Sequence, residues 1–226
     1  MKDLITIGLP SKGRLKDKSI SFFNDRGLKI LQSEKERNYF GTIENENNIK
    51  IIFLHAKEII QRLGDGTLDI GVSGLDLLKE SDKNLQNKIN IQKKLDFGNA
   101  NLVIAVPDDW IDVQTIADLE EISFDIRFKR NSRLRVATKY PNLTNDFLIS
   151  KGVTQYKLIV SLGATETYPF IGSSEIITDI TSTGKTLADN NLRVLKDGLI
   201  LSSNACLFIA KKKAAKLQPF LKILDR

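Results

Sequence analysis

The stretch Asp179-Ile-Thr-Ser-Thr-Gly-Lys-Thr-Leu187 places a carboxylate at one end and hydroxyls, a glycine and a lysine at the other. Its Gly184-Lys185-Thr186 matches the close of a nucleotide-binding P-loop, G-x-x-x-x-G-K-[ST], but Asp179 stands where that pattern requires its first glycine. A carboxylate there repels a triphosphate. Backbone N–H groups and the hydroxyls of Thr181, Ser182, Thr183 and Thr186 suit a phosphate monoester, and Asp179 suits sugar hydroxyls. A sugar phosphate satisfies both ends; a Ser/Thr-rich helix cap remains the plain alternative.

Other candidate groups lie in loops between apolar runs. Lys12 and Arg14 flank Gly13 after a strand stopped by Pro10, which fits either an anion at a helix N-terminus or a turn with solvated charges. Gly71 and Gly74, with Ser73 between them, would let a flat ligand pack on the backbone, and would equally serve a tight strand-to-helix turn. Glu166, after Gly163-Ala164-Thr165, is a surface charge unless another group joins it. His55 is the single histidine and Cys206 the single cysteine, the latter inside an apolar run where packing is its simplest role.

The elements that must position these groups alternate along the whole chain. Leu4–Leu9, Ile49–Leu54, Asp69–Ser73, Leu102–Val106, Leu134–Thr138, Tyr156–Ser161 and Ile176–Ile180 read as strands, most of them continuously apolar as in buried parallel sheet. Helices are expected over Arg14–Arg26, over Ala56–Leu63, over Asn142–Lys151 with Asn142 as its cap, and from about Leu187. This is α/β architecture. Polar breaks at 96–101 and 202–204 mark two crossings between lobes, giving a first lobe of 1–100 plus 207–226 and a second of 101–206.

With 226 residues, 41% of them apolar and 27% charged, the chain has the make-up of a soluble globular protein. The net charge of +6 is spread among acidic residues and forms no continuous stripe, which argues against a nucleic-acid binder. Lys211-Lys212-Lys213, with Lys216 nearby, reads as a solvated helix face. No run has the length and apolarity of a membrane span or a signal segment, and the lone cysteine excludes an intrachain disulfide, so a cytoplasmic protein is expected.

Five segments, in order, resemble those of the ATP phosphoribosyltransferases. Leu9–Leu15 resembles their N-terminal basic loop, Asp69–Leu78 their "DLGITGxDLL" segment and Arg135–Thr144 their "RIATxYPNLT" segment; Gly163–Glu166 occupies the place of their "GSVE" turn, and Asp179–Thr186 that of their 5-phosphoribosyl-1-pyrophosphate loop. The resemblance implies two α/β lobes like those of type II periplasmic binding proteins, with the active site in the interlobe cleft. It implies transfer of the phosphoribosyl group to N1 of ATP, opening histidine biosynthesis. Sixteen residues follow Ala210, which resembles the short form without a C-terminal regulatory domain.

Carried over residue by residue, Thr181, Ser182, Thr183, Gly184, Lys185 and Thr186 would hold the 5-phosphate, Asp179 and Glu166 the ribose hydroxyls, and Lys12 with Arg14 the pyrophosphate. Gly71, Ser73, Gly74 and His55 would lie toward ATP, with His55 standing where many members have an arginine. Mg²⁺ is expected on the pyrophosphate, without a protein-side metal cluster. The implied partners are a regulatory subunit resembling the histidyl-tRNA synthetase core and a second copy of the chain, forming a homodimer within a hetero-oligomer. The basic run Arg127–Arg133 is expected as a solvated loop, or as a surface facing ATP or that subunit. The competing reading is a non-catalytic two-lobe binding protein for a phosphorylated small molecule.

Overall fold

The computed structural model describes residues 4–32 and 39–224. Met1–Asp3 and residues 225–226 of the expected first lobe lie outside the described residues. The chain begins with β1 (Ile5–Pro10), α1 (Gly13–Asn24), β2 (Ile30–Gln32), β3 (Phe40–Ile43), β4 (Glu46–Leu54) and α2 (Ala56–Gly64). There follow β5 (Ile70–Gly74), α3 (Leu75–Glu80), α4 (Lys83–Gln86), β6 (Ile89–Lys94), β7 (Ala100–Pro107) and α5 (Ile116–Arg130). Next come β8 (Leu134–Thr138), α6 (Pro141–Ser150), β9 (Tyr156–Val160), β10 (Ile176–Thr181) and α7 (Lys185–Asp189). The chain finishes with β11 (Leu192–Ser203), β12 (Ala205–Ala210) and α8 (Ala214–Leu224).

These elements fall into two compact units, one reaching to Gly98 and resuming at Asn204, the other spanning Asn99–Ser203. The crossings expected at 100/101 and 206/207 thus fall slightly earlier. Ala205 and Cys206 already pair with Gly74 and Ser73 of β5, so the whole of β12 belongs to the first unit.

The first unit is a seven-stranded mixed sheet in the order β2-β3-β4-β1-β5-β12-β6. β1 lies parallel to both β4 and β5, and β12 runs antiparallel between β5 and β6. Helices cover both faces, which is why β12 is buried along its length. Leu207 and Ile209 join the core with Ile7, Phe23 and Leu217, while Cys206 and Phe208 join that with Ile59, Ile60 and Leu63. Two glycines permit this packing. A methyl at Gly71 would come 2.5 Å from Cγ2 of Ile59, and one at neighbouring Gly8 would run into the Leu68 side chain.

The second unit is a five-stranded sheet, β11-β7-β10-β8-β9, in which β9, β8 and β10 are parallel and β7 opposes β10. One face buries Ile104, Leu119, Val136 and Ile176; the other buries Val103, Ala137, Ile177 and Leu187. α5 starts in a capping box, with the Thr115 hydroxyl accepting from the Asp118 N–H and the Asp118 carboxylate accepting from the Thr115 N–H. The basic run expected as a loop is largely helix. Arg127–Arg130 form the last turn of α5, where the helix dipole favours cations, and Asn131 ends it at φ 47°. The expected cap at Asn142 moves to Tyr140, because Pro141 takes the first helical position of α6. The short or polar-interrupted strands β2, β3, β6 and β11 are absent from the expected set, since their sequences lack a sustained apolar run.

Candidate active site

The second unit's candidate residues gather at the carboxyl ends of its parallel strands, where open α/β sheets place ligands. Asp179 is the fourth residue of β10 and opposes Val103 of β7. Burial pushes its carboxyl up; the Ile180 N–H and the Lys139 ammonium oppose that, and the Glu166 carboxylate adds to it. The action of Glu166 on Asp179 puts the two expected carboxylates in one electrostatic neighbourhood.

Glu166 is half-buried rather than exposed, and sits in a 3₁₀ turn, Thr165–Thr167. The turn is entered through Ala164 at φ 43°, a left-handed conformation that costs a non-glycine residue roughly 1–2 kcal/mol. Internal hydrogen bonds hold it. The buried Thr165 hydroxyl donates to Oγ of Ser161 at 3.0 Å, Ser161 Oγ donates to the Gly163 carbonyl at 3.1 Å, and Thr167 Oγ1 donates to the Ala164 carbonyl at 2.8 Å. The strained Ala164 is thus held by hydrogen bonds on both sides of the carboxylate.

The loop after β10 turns through Gly184 at φ 74° into α7, which begins at Lys185 rather than near Leu187. The Gly184 N–H donates to Oγ1 of Thr181 at 2.8 Å and the Lys185 N–H to Oγ1 of Thr183 at 3.4 Å. Ser182, Thr183, Lys185 and Thr186 are exposed. Thus the loop's own hydroxyls hold N–H groups that a phosphate oxygen would take.

A buried threonine ring beneath this site went unread in the sequence. Oγ1 of Thr144 lies 3.1 Å from Thr138 and 2.8 Å from Thr178, and Thr178 donates to Thr138. Three hydroxyls donating head to tail close the ring, and Thr138 also accepts the Tyr140 N–H at 2.8 Å. The ring joins α6, β8 and β10 one residue before Asp179, which accounts for Thr138 and Thr144 of the Arg135–Thr144 segment. Arg135 anchors the other end of that segment, bridging Glu175 at 2.7 Å and donating to the Gly172 carbonyl at 2.8 Å.

In the first unit, Lys12 is the extended cap residue of α1, Gly13 follows at φ 72°, and Lys12 and Arg14 are both exposed. The first turn of α1 has no acidic residue, so its free N–H groups and two cations present one positive surface. Ser11 is fastened to the end of β4 through its N–H and the Leu54 carbonyl, 2.9 Å apart.

The residues expected to face ATP have structural duties here. Gly71 is buried against α2. The buried Ser73 hydroxyl donates to the Ala56 carbonyl at 2.8 Å, and a methyl at Gly74 would run into the Asp76 carboxylate. His55 is exposed, and its Nδ1 caps α2 by accepting the Lys57 N–H at 3.3 Å. The proton of this imidazole, when neutral, therefore sits on Nε2.

Two further expectations meet the structure. Lys213 is no solvated charge: its ammonium lies 2.7 Å from Oδ1 of the buried Asp69 and 3.0 Å from the Gly66 carbonyl. Asp69 also accepts the Thr6 N–H at 2.7 Å and the Thr6 hydroxyl at 2.9 Å. Burial would raise this carboxyl, but the bonds from Lys213 and Thr6 outweigh it and hold it low. Cys206 is buried, and burial pushes its thiol up to about 11, so it is no thiolate near neutrality. Among the described residues no group of three or more His, Cys, Asp or Glu side chains could hold a metal, and no helix is long and apolar enough to cross a membrane.

Two α/β units, one with two carboxylates near a hydroxyl-rich loop and the other with a basic strand-to-helix loop, suit a protein that handles a phosphorylated sugar. The family model described as "HisG: ATP phosphoribosyltransferase" matches residues 55–226. An ATP phosphoribosyltransferase of Chelativorans sp. (strain BNC1) is 46% identical over 210 residues, covering 92% of this chain and 91% of its own. That of Rhizobium etli (strain CIAT 652) is 44% identical over 221 residues, covering 97% and 96%. The chain belongs to the ATP phosphoribosyltransferase family. Among solved structures, the ATP phosphoribosyl transferase (HisG:HisZ) complex from Thermotoga maritima aligns with TM-score 0.75 at 24% identity, covering 98% of this chain and 97% of that one. The substrate binding protein of an amino acid ABC transporter aligns with TM-score 0.56 at 12% identity, covering 98% and 92%. These likenesses show the fold, which is shared with periplasmic binding proteins.

Proposed function

We propose that this chain transfers the 5-phosphoribosyl group from 5-phosphoribosyl-1-pyrophosphate to N1 of ATP, giving N1-(5-phosphoribosyl)-ATP and pyrophosphate, the first step of L-histidine biosynthesis. Membership of the family carries the reaction. The observation that supports the residue roles is the delivery of Asp179 by β10 and of Glu166 by the turn after β9 to the carboxyl ends of one parallel set, beside the Thr181–Thr186 loop.

Cleavage at C1 of the donor leaves positive charge on the ribose and negative charge on departing pyrophosphate. Asp179 and Glu166 accept hydrogen bonds from the ribose hydroxyls and stabilise the cationic sugar, while Thr181, Ser182, Thr183, Gly184, Lys185 and Thr186 hold its 5-phosphate. Lys12 and Arg14, at the N-terminus of α1, receive the pyrophosphate. N1 of ATP attacks C1 directly, so no covalent enzyme intermediate is needed. ATP lies toward the β5 segment, where Gly71, Ser73 and Gly74 shape the backbone and the Nε2 side of His55 is the group left to meet it. Metal-ion use is general in the family. Mg²⁺ carried on the pyrophosphate of the donor would offset the negative charge that grows there as the leaving group departs.

The neighbour from Thermotoga maritima was solved as a HisG:HisZ complex. By extension this chain works as a homodimer with a separate regulatory subunit resembling histidyl-tRNA synthetase, in the cytoplasm. Mass spectrometry of the purified chain with ATP, 5-phosphoribosyl-1-pyrophosphate and Mg²⁺, with and without such a subunit, tests both statements. N1-phosphoribosyl-ATP is expected, and its absence from both mixtures with folded protein that binds either substrate would overturn the catalytic reading.

A further inference from the structure

Three neighbouring strands of the second unit, β10, β8 and β9, run parallel and end side by side. β10 delivers Asp179, and the segment after β9 delivers Glu166. Between them, one residue past the end of β8, stands Lys139. The register pairs Thr178 with Thr138, and their hydroxyls meet in the buried ring. Extending that parallel register by one residue sets Lys139 beside Asp179, on the face opposite the ring. The Ser161 N–H donates to the Thr138 carbonyl at 2.8 Å, which draws the Glu166 turn alongside the same position.

Two carboxylates near one another resist both being ionised, and burial of Asp179 adds to that resistance. Asp179 must be ionised to stabilise positive charge at C1 and to offer both of its oxygens as acceptors to the ribose hydroxyls. The charged groups acting on Asp179 are Lys139, which favours its ionised form, and Glu166, which opposes it; β7 faces it with Val103, an uncharged residue.

We propose that Lys139 is a positioning residue for phosphoribosyl transfer, set by the end of β8 beside the end of β10 so that its ammonium holds the Asp179 carboxylate for the ribose. This rests on the role given to that carboxylate above. Lys139 is exposed, so replacing it leaves the core untouched.

The test compares wild type, Lys139→Met, Lys139→Gln and Lys139→Arg by kcat/KM for the donor against pH. The Met and Gln variants are expected to move the acid limb to higher pH and to lose about threefold or more on that limb, with Arg restoring the wild-type profile. Met and Gln profiles that superimpose on wild type would overturn the proposal. Carbon-13 titration of the Asp179 carboxyl in the unliganded protein, assigned against Asp179→Asn, supplies a reading that needs no turnover. A midpoint displaced upward in Lys139→Met supports the coupling even if the reaction itself has been misassigned, and an unmoved midpoint refutes it.

Discussion

Thr144→Val removes one hydroxyl from the ring beneath the phosphoribosyl site and replaces it with a methyl group of almost equal volume. No cavity opens, so the cost isolates the hydrogen bonds. Thr144 is fully buried and its Oγ1 meets Thr138 at 3.1 Å and Thr178 at 2.8 Å. With the ring donating head to tail, the variant leaves Thr138 with a buried O–H that has lost its acceptor, while the Thr178-to-Thr138 bond survives. A buried polar group stranded in this way costs about 1–3 kcal/mol. Each kcal/mol lowers the unfolding midpoint of a domain by about 2–8 °C according to its size, so a fall of about 2–24 °C is expected. Differential scanning calorimetry measures it, with Thr144→Ser as the partner that keeps the hydroxyl. Because Thr178 precedes Asp179, donor kcat/KM should fall in the Val variant more than in the Ser variant. A Val variant melting together with wild type would mean that the ring contributes nothing, and the account of this segment would be wrong.

Asp179→Asn keeps the shape of the carboxylate and discards its charge, and should lower kcat by about 10²–10³ while the melting midpoint holds. Steady-state turnover near that of wild type would remove Asp179 from the ribose. His55→Ser keeps a capping oxygen for α2 and His55→Ala does not, so urea unfolding should show only the Ala variant weakened, by about 1 kcal/mol, while both lose kcat/KM for ATP. A wild-type kcat/KM for ATP in both would confine the imidazole to capping. Lys213→Met strips the buried Asp69 of its cation and should be the most damaging change in the Lys211–Lys213 cluster. The Asp69 carboxyl is held below its ordinary value, so its contribution to stability is present above that ordinary value and is lost as pH falls through the lowered one. Wild type should therefore lose its advantage over Lys213→Met on acidification, and a gap in melting midpoint that stays constant down the acid range would contradict this.

The chemistry of each loop was legible in sequence because it depends on residue types at short spacing. Asp179 ahead of a hydroxyl-rich Gly-Lys-Thr, cations around Gly13, and apolar runs alternating with amphipathic segments are local facts, and so is the α/β alternation they imply. What escaped a local reading was anything in which distant residues share a duty. Lys213 looks like one of three solvated lysines until β12 carries it to Asp69, and Gly71 looks like a ligand platform until α2 packs on it.

By itself the sequence determined which groups are available and that a sugar phosphate would suit them. Only the tertiary structure decided that Glu166 acts on Asp179, since that required three parallel strands to end side by side. It likewise decided that Thr138, Thr144 and Thr178 close one ring, and that Ser73 spends a hydrogen bond on α2. The physical reason is common to all of these. A hydroxyl, a charge or a bare glycine Cα takes its meaning from what lies within a few ångströms of it, and in a sheet of crossover connections those neighbours come from far along the chain.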